Sequence, residues 1–344
     1  MTHVFSKRST CPDGFANGKA ASKMRRAVAS LAVLFLFGWV LPAVAETAVS
    51  LKQEFPRLDL SKRGIALSEL QSGGPPRDGI PAIDAPKFIG ASVANGLSPQ
   101  EPVITVSGSC GAFAYPFRIL IWHEIVNDRV CGRPLAITYC PLCNAAMVFD
   151  RRIASRELRF GTTGRLRHSD LVMYDRETET FWQQFTGLSL MGSLHEARLV
   201  SVPARIESFA LFKQRFPNGQ VLVPPAGGAR SYGQNPYVGY DQAPRPFLYS
   251  GAMPAGIEPL ERVVRVGERA WSLKAVRSKR LIRTDDGLEI TWREGQNSAL
   301  DKQYIADGRD IGNIVVTRNG EDIPYSVDFA FAFSAFYPKA RIEH

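Results

Sequence analysis

Leu135-Ala-Ile-Thr-Tyr-Cys-Pro-Leu-Cys-Asn144 joins a β-strand pattern to a Cys-x-x-Cys turn, and its first half recurs later in the chain. The β-branched and apolar residues of Leu135-Ala-Ile-Thr-Tyr139 predict a buried strand. Leu288-Glu-Ile-Thr-Trp292 repeats the pattern 153 residues further on. One short match can arise by chance, so a repeat is predicted only if other segments match in the same order.

Three more pairs of segments do match in that order, which predicts an internal repeat. The pairs are Val103 to Phe117 with Val263 to Leu273, Val148 to Asp150 with Ala299 to Asp301, and Ser208 to Pro217 with Phe329 to Pro338. Ile206 to Phe216 has the spacing of an amphipathic helix, so Phe329 to Pro338 is also predicted to be helical. We therefore expect an α+β, predominantly β fold of two tandem related half-domains, the second degenerate, with short helices.

Composition shifts along the chain predict its organisation. Residues 46–77 are polar and interrupted by Gly and Pro, which indicates a loose start to the lead-in. The segment after residue 223 is rich in Pro, Gly and Tyr, as linkers often are. The predicted units are a leader at 1–45, an N-terminal lead-in at 46–99, a first half-domain at 100–223, a linker at 224–259 and a second half-domain at 260–344.

The leader has the order of a secretory signal peptide. Basic residues follow Met24, the apolar run Ala27 to Leu41 comes next, and Ala43-Val-Ala45 offers a cleavage site after Ala45. The run is shorter than the roughly 20 residues that span a bilayer. We therefore expect an exported, periplasmic or secreted protein without a transmembrane segment after cleavage.

Cleavage would also change the charge of the protein. The whole chain has a formal net charge of +9, but the 299 residues after Ala45 carry 36 basic and 32 acidic residues, a net charge of +4. No nucleic-acid recognition motif is present, so no nucleic-acid partner is predicted. The four remaining cysteines are Cys110, Cys131, Cys140 and Cys143, which allow three full pairings in an oxidising compartment.

From Asp78 onward the chain resembles the bacterial domain-of-unknown-function 3179 family. The resemblance is carried by stretches that begin at Asp78, Ala114, Thr138, Phe149, Ser169 and Phe181, namely DGIPAIDAPKF, AYPFRILIWHEIVND, TYCPLCN, FDR, SDLVMYDR and FWQQ. It implies an exported or surface-associated bacterial domain, without an established reaction. Cys110 and Cys131 depart from the family pattern, which favours an added disulfide between them.

Cys140 and Cys143 can be interpreted in three ways: a redox dithiol, half of a metal site, or a structural pair. A thioredoxin fold is not expected, because no long helix and no βαβ unit follow the motif. In a metal knuckle the residue after the second Cys often has positive φ, and Asn144 tolerates that conformation. At the repeat offset of 153, both cysteines fall on Arg293 and Gln296. This difference between the copies favours a chemical role.

A metal site needs one or two more ligands beside the two thiolates. His123 and His168 lie in the family-like stretches and are the predicted metal ligands, His123 falling on Val276 in the second copy. A Cys-Cys-His set suits zinc or Cu(I). Glu124 and Asp170 are predicted to support a catalytic site formed by Cys140, Cys143 and His123.

Two classes of function follow from these alternatives. The first is an extracytoplasmic metal or thiol-redox site in the first half-domain. The second is a non-enzymatic envelope protein that binds a small molecule or an envelope protein partner, with structural cysteines. The sequence names neither a substrate nor a reaction, and it does not decide whether the protein is an enzyme.

Overall fold

The structure is a computed structural model that describes residues 47–227 and 230–344. The predicted leader, with its signal peptide and cleavage site, lies outside these residues. The helices of the described part are short: α1 Ala48–Glu54, α2 Phe117–His123, α3 Phe209–Arg215, α4 Leu273–Lys279 and α5 Ala330–Phe336, with 3-10 helices at Leu67–Glu69, Tyr240–Gln242 and Ile305–Asp307. Within this part of the chain, no helix has the length and apolar character that a membrane crossing requires.

Most of the described chain forms strands. In chain order they are β1 Gln71–Ser72, β2 Lys87–Gly90, β3 Pro102–Gly108, β4 Gly111–Pro116, β5 Ile125–Val130, β6 Arg133–Cys140, β7 Ala145–Asp150, β8 Arg152–Ile153, β9 Arg156–Glu157, β10 Phe160–Arg167, β11 Asp170–Asp175, β12 Phe181–Gln183, β13 Ser189–Met191, β14 Val200–Ser201, β15 Arg205–Ser208, β16 Gln220–Val223, β17 Arg262–Val266, β18 Arg269–Ser272, β19 Leu281–Arg283, β20 Leu288–Arg293, β21 Asn313–Arg318, β22 Glu321–Asp322, β23 Ser326–Phe329 and β24 Ile342–Glu343.

Five sheets of four or five strands are arranged as the blades of a propeller. Their strand orders are β15-β3-β4-β16-β2 (sheet I), β14-β7-β6-β5 (sheet II), β1-β10-β11-β12-β13 (sheet III), β23-β17-β18-β24 (sheet IV) and β19-β20-β21-β22 (sheet V). Strands β7 and β11 are buried along their whole length, and β6 is buried after its first residue. The Cys-x-x-Cys turn therefore joins two of the most buried strands.

Sheets I and IV have the same internal arrangement. In each, a hairpin (β3-β4 or β17-β18) pairs on one side with an antiparallel strand, β15 or β23. On the other side it pairs with a parallel strand, β16 or β24. A helix follows each hairpin, and another precedes each parallel strand. The two sheets thus share both strand order and connections.

Sheets II and V also correspond, through β5-β6-β7 and β19-β20-β21. The Tyr139 amide donates to the Glu124 carbonyl at 2.8 Å, and the Trp292 amide donates to the Arg280 carbonyl at 3.0 Å. The β5-β6 hairpin is three residues longer than its counterpart between these points. His123 therefore corresponds to Lys279, the last residue of α4, and the alignment of His123 with Val276 at a constant offset was wrong.

The predominantly β fold with short helices is confirmed. The blades do not divide clearly into two tandem half-domains, because the correspondence holds between single sheets and sheet III has no counterpart among the described residues. The predicted C-terminal helix is present as α5. The helix predicted from Ile206 begins instead at Phe209, because Arg205–Ser208 pairs with β3 and the Ser208 hydroxyl caps the helix.

The start of the lead-in is packed, whereas the sequence suggested a loose segment. Leu51, Phe55 and Leu58 are fully buried. They form a small core with sheet III residues that include Tyr174 and Phe181, and Phe55 makes edge contacts with both rings. Residues 71 and 72 form the edge strand β1 of the same sheet. Scattered apolar residues thus suffice to fix this segment, although its overall composition is polar.

Candidate functional site

The Cys-x-x-Cys motif forms the loop between β6 and β7. Cys140, the last residue of β6, pairs with Ala145, the first residue of β7, and residues 141–144 make the turn. Asn144 has a φ of 52°, so the predicted positive φ is confirmed. Its side chain donates to the Val327 carbonyl at 2.7 Å and accepts from the Tyr139 hydroxyl at 3.3 Å. The turn is thereby anchored to β6 and to sheet IV.

A second tight turn, between β10 and β11, faces the two thiols. His168 and Ser169 are its two central residues, with φ of 54° and 66°, as a type I′ hairpin turn requires. The Ser169 carbonyl lies 3.8 Å from the Cys140 Sγ, and the His168 carbonyl lies 3.9 Å from the Cys143 Sγ. The turn also presents Asp170, the first residue of β11, to the thiols.

Cys140, Cys143 and Asp170 form one buried group. One ligand atom from each, the two Sγ atoms and a carboxylate oxygen, lie within 4.8 Å of one another. Cys140 is 1% exposed, and the other two residues are fully buried. Neither cysteine forms a disulfide. Among the described residues, this is the group of three or more His, Cys, Asp or Glu side chains that could hold a metal ion.

The Asp170 carboxylate is only half satisfied. Its Oδ2 accepts from the Gln183 side chain at 2.7 Å and from the Phe185 amide at 2.9 Å. Its Oδ1 is buried and has no hydrogen-bond partner within the described residues. Burial raises the pKa of Asp170 to about 7, and the hydrogen bonds offset only part of this shift. A buried polar atom without a partner costs about 1–3 kcal/mol, so a missing donor or cation is indicated here.

The two thiols do not have the environment of reactive cysteines. Burial raises the pKa of Cys140, and it raises the pKa of Cys143 well above its ordinary value. The charges of Asp170 and Glu124 further oppose ionisation of Cys140. Catalytic and redox-active thiols usually lie in partly exposed, electropositive surroundings that favour the thiolate. Hydrogen bonds from Cys143 favour the ionised form of Cys140, but their effect on its pKa is smaller than that of burial.

Glu124 lies near this group, at the C-terminal end of α2. Its side chain lines a cavity of about 90 Å³ together with Cys140, Leu142 and Tyr237. The residue is 8% exposed, and its carboxylate makes no hydrogen bond or ion pair with the described residues. Burial and the charge of Asp170 raise the pKa of Glu124 to about 8. The structure therefore places this predicted supporting residue beside Cys140.

Both ring nitrogens of His123 are hydrogen-bonded elsewhere. Nδ1 lies 2.7 Å from the Pro81 carbonyl, which can only accept, so Nδ1 carries the proton. Nε2 lies 2.8 Å from the Tyr232 hydroxyl, which then donates to it, and the two rings stack. His123 is not part of the ligand group. His123 is therefore a histidine at the end of helix α2 whose two ring nitrogens both have hydrogen-bond partners.

His168 contributes its backbone, not its ring, to the site. The ring makes edge contacts with Phe336 and Tyr249, and it also lies outside the ligand group. Burial and the charge of Arg167 lower the pKa of His168. The structure thus brings together Cys140, Cys143 and Asp170, and it brings neither predicted histidine to the thiols.

Asp170 was predicted as a supporting residue, and its place among the possible metal ligands was not predicted from the sequence. The signal that could have identified it is the two-residue turn before it, which points the next side chain to a fixed side of the sheet. The disulfide between Cys110 and Cys131, which the resemblance implied, is present with Cα atoms 5.3 Å apart. It joins the ends of two hairpins and leaves Cys140 and Cys143 free.

Comparison with known proteins agrees with this description of an uncharacterised site. No curated protein and no solved structure matches the chain. A family model described as a protein of unknown function, DUF3179, matches residues 77–340. The match includes the Cys-x-x-Cys turn, Asp170, all of sheets I, II and V, and sheet IV except its edge strand β24. The chain therefore belongs to the DUF3179 family of proteins of unknown function.

Proposed function

We propose that Cys140, Cys143 and Asp170 bind one zinc ion. The observation that carries the proposal is the buried Asp170 Oδ1, which has no hydrogen-bond partner and belongs to the same compact group as two free thiols. A cation would accept the lone pairs of all three atoms and compensate the cost of their burial.

The ligand types favour zinc over Cu(I). Thiolates bind both ions well, but a carboxylate is a hard ligand that Zn²⁺ accepts and Cu(I) does not prefer. The predicted Cys-Cys-His set left both metals open. Replacing the histidine by Asp170 in the set shifts the preference towards zinc.

The number of protein ligands distinguishes two kinds of zinc site. Structural zinc sites use four protein ligands, whereas catalytic sites use three and leave one position for water or substrate. The cavity beside Cys140 offers space for such an exogenous ligand. We therefore propose an open site, and hence an enzyme or a sensor of a small molecule. A thiol-redox function is less well supported, because both thiols are buried and protein substrates cannot reach them.

Metal analysis of the full-length protein, purified after export to the periplasm, tests the proposal. We expect about one zinc per chain in the wild type and a loss of most of it in C140S, C143S and D170N. The matched control is D175N, which changes another fully buried aspartate at the other end of the same strand. Asp175 is satisfied by Thr178 and by the Trp182 indole, so this variant should retain its zinc.

Other results would contradict zinc binding. One copper ion per chain in place of zinc would show that the site binds copper, the other metal that the thiolate ligands allow. A metal-free wild type with two unreactive thiols would favour the alternative, a binding protein with structural cysteines. A disulfide between Cys140 and Cys143 that exchanges with glutathione would favour the redox function.

We also propose that the protein is exported to the periplasm or secreted. The disulfide between Cys110 and Cys131 supports this location, because disulfides persist in oxidising compartments and are rare in the cytosol. The experiment is cell fractionation of the full-length chain beside a chain that begins at Glu46. A wild-type protein that stays in the cytosol with the leader intact would contradict export.

We further propose that sheets I and II and sheets IV and V arose from one duplicated unit. The shared strand order and the equivalent hydrogen bonds at Glu124 and Arg280 support this origin. In the second copy, residues 294–312 replace the four-residue turn at 141–144, and the described residues contain no second equivalent of sheet III. A poor superposition of the Cα atoms of β3–β7 on those of β17–β21 would contradict a duplication.

A further inference from the structure

The cavity beside Cys140 is small and mostly apolar. Its volume is about 90 Å³, which corresponds to roughly three water molecules at about 30 Å³ each. Leu142, Leu166 and Leu171 contribute apolar surface, and the loop that contains Pro75 also lines it. A cavity of this size excludes most metabolites. It admits water or a molecule of a few atoms.

Glu124 is the acidic side chain that lines this cavity. More than nine-tenths of the residue is buried, and no described donor or cation pairs with its carboxylate. Buried carboxylates are normally paired or hydrogen-bonded, because an isolated buried charge is costly. A molecule that enters the cavity is therefore the partner available to the ionised carboxylate.

The fold does not require an acidic residue at this place. Arg280 occupies the equivalent position in the second pair of sheets, with φ of 62° beside 59° for Glu124. Both carbonyls accept the equivalent strand amide, and both amides close the last turn of the preceding helix. The backbone function is thus the same with either side chain. What differs is that Glu124 faces a cavity next to a cysteine.

We propose that Glu124 holds the water molecule, or the small uncharged ligand, that occupies the open coordination position of the zinc ion. This inference rests on the proposed zinc site and identifies the class of molecule that the site accepts. Glu124 is not itself assigned as a ligand, because its carboxylate is not among the atoms that lie within 4.8 Å of one another.

A divalent cation bound by the neighbouring Cys140, Cys143 and Asp170 favours the ionised form of Glu124, and this charge determines which ligands are favoured. A carboxylate next to the open position accepts a hydrogen bond from water or from a neutral O–H or N–H group. It repels an anion that competes for the same position, whereas Arg165, the basic residue of the lining, is already paired with Glu54. The site should therefore select small neutral hydrogen-bond donors over small anions.

The test is a titration of the cobalt-substituted protein with azide, a small anion. Binding of azide is measured by the change in the visible absorption of the bound cobalt, which depends on the ligands of the ion. The full-length wild type and E124Q are loaded with Co²⁺ and titrated with azide at one fixed pH. We expect both proteins to bind one cobalt, and we expect E124Q to bind azide at least about tenfold more tightly. The matched control is E207Q, since Glu207 is also buried with one unpaired oxygen but does not line the cavity.

Each other outcome has a defined meaning. Equal azide affinity in wild type and E124Q, with full cobalt content, would overturn the inference and leave the zinc site intact. Loss of cobalt in E124Q but not in E207Q would also overturn the inference, because it would show that Glu124 is itself a metal ligand. A wild type that binds no cobalt and no zinc would overturn the proposed function, and this inference with it.

Discussion

Glu124 and Arg280 end helices α2 and α4 with nearly identical backbone torsion angles, φ 59° and ψ −31° against φ 62° and ψ −29°. Positive φ is uncommon in residues other than Gly, Asn and Asp, and it is often taken as a sign of a functional site. Here Arg280 has the same conformation, although it does not lie beside Cys140, Cys143 and Asp170, the possible metal ligands among the described residues. The strain therefore belongs to the helix-to-strand connection, and only the side chain of Glu124 belongs to the site.

The substitution E124G should stabilise the metal-free protein. Glycine adopts positive φ without steric cost, and the change also removes a buried carboxylate that has no partner among the described residues. We expect the free energy of unfolding to rise by about 1 kcal/mol or more, measured by urea denaturation of the metal-free protein at neutral pH. A gain of stability at a site residue is typical where function opposes stability.

R280G is the matched control for this prediction. It relieves the same backbone strain but removes the contact of the Arg280 guanidinium with the Trp292 ring, 4.2 Å from its centroid. Such contacts contribute about 0.5–1 kcal/mol at exposed sites, so the net change should be small. An equal stabilisation by both substitutions would mean that the buried carboxylate of Glu124 has no energetic cost.

Removal of the disulfide should destabilise the fold without affecting the metal site. Cys110 and Cys131 are separated by 21 residues, and closing a loop of this size contributes roughly 3 kcal/mol by restricting the unfolded chain. We expect the double variant C110S/C131S to lose about 2–4 kcal/mol in urea unfolding and to keep one zinc per chain. Loss of zinc in the folded double variant would show that this disulfide takes part in the site.

Local patterns in the sequence predicted one strand and one turn of the site correctly. The run of β-branched and apolar residues identified β6, and the tolerance of Asn144 for positive φ identified the form of the Cys-x-x-Cys turn. Both features are determined within a few residues of chain, where backbone preferences act. Helix α5 was predicted differently, from the match of Phe329 to Pro338 with the helical segment Ser208 to Pro217.

The third member of the ligand group could not be recognised in the same way. Asp170 follows Cys143 by 27 residues, and it reaches the thiols only because sheet III packs its β10-β11 turn against sheet II. Histidine is a commoner metal ligand than aspartate, which drew attention to His123 and His168. The hydrogen bonds that satisfy His123, to Pro81 and Tyr232, join distant segments and leave no pattern in the sequence.

His123 should make the stability of the protein depend on pH below neutrality. Burial lowers the pKa of His123 below its ordinary value of 6.5, and the nearby charge of Arg230 acts in the same direction. The unfolded chain therefore binds this proton more readily than the folded protein, so the contribution of His123 to stability falls as the pH drops below about 6.5. The raised pKa values of Asp170 and Glu124 act in the opposite direction, so the contribution of His123 is measured as a difference between the wild type and a variant without the imidazole, by urea unfolding at pH 7.5 and at pH 5.5.

The substitution H123Q separates this effect from other titrations. Glutamine cannot be protonated in this range, so between pH 7.5 and pH 5.5 H123Q should lose less free energy of unfolding, or gain more, than the wild type. H344Q, which changes the exposed C-terminal histidine, should leave the difference as in the wild type. An unchanged pH dependence in H123Q would assign the acid sensitivity to other groups.

Replacing either partner of the buried ion pair between Arg265 and Asp328 should destabilise the protein strongly, whereas replacing both should cost much less. The guanidinium lies 2.5 Å from the Asp328 carboxylate, stacks on the Phe185 ring and donates to the Phe185 carbonyl. Loss of one partner leaves a buried charge uncompensated, at a cost of about 3–5 kcal/mol. We expect this loss in R265M and in D328L alone, and a recovery of most of it in the double variant, measured by urea unfolding.

An exposed ion pair provides the control for this cycle. Arg269 and Asp286 are both nearly half exposed, so R269M should change the stability by less than about 1 kcal/mol. Additive losses in the double variant R265M/D328L would mean that the two buried groups do not compensate each other.

The same pair should also affect metal binding, because Phe185 connects it to the site. The Phe185 amide donates to Asp170, and its carbonyl accepts from Arg265. Groups that orient a metal ligand typically change the affinity by about 10-fold to 100-fold when they are lost. We expect at least a tenfold weaker zinc affinity in folded R265M, measured by competition with a chelator, and wild-type affinity in R269M. Equal affinity in both variants would show that Asp170 is held in place without the help of Arg265.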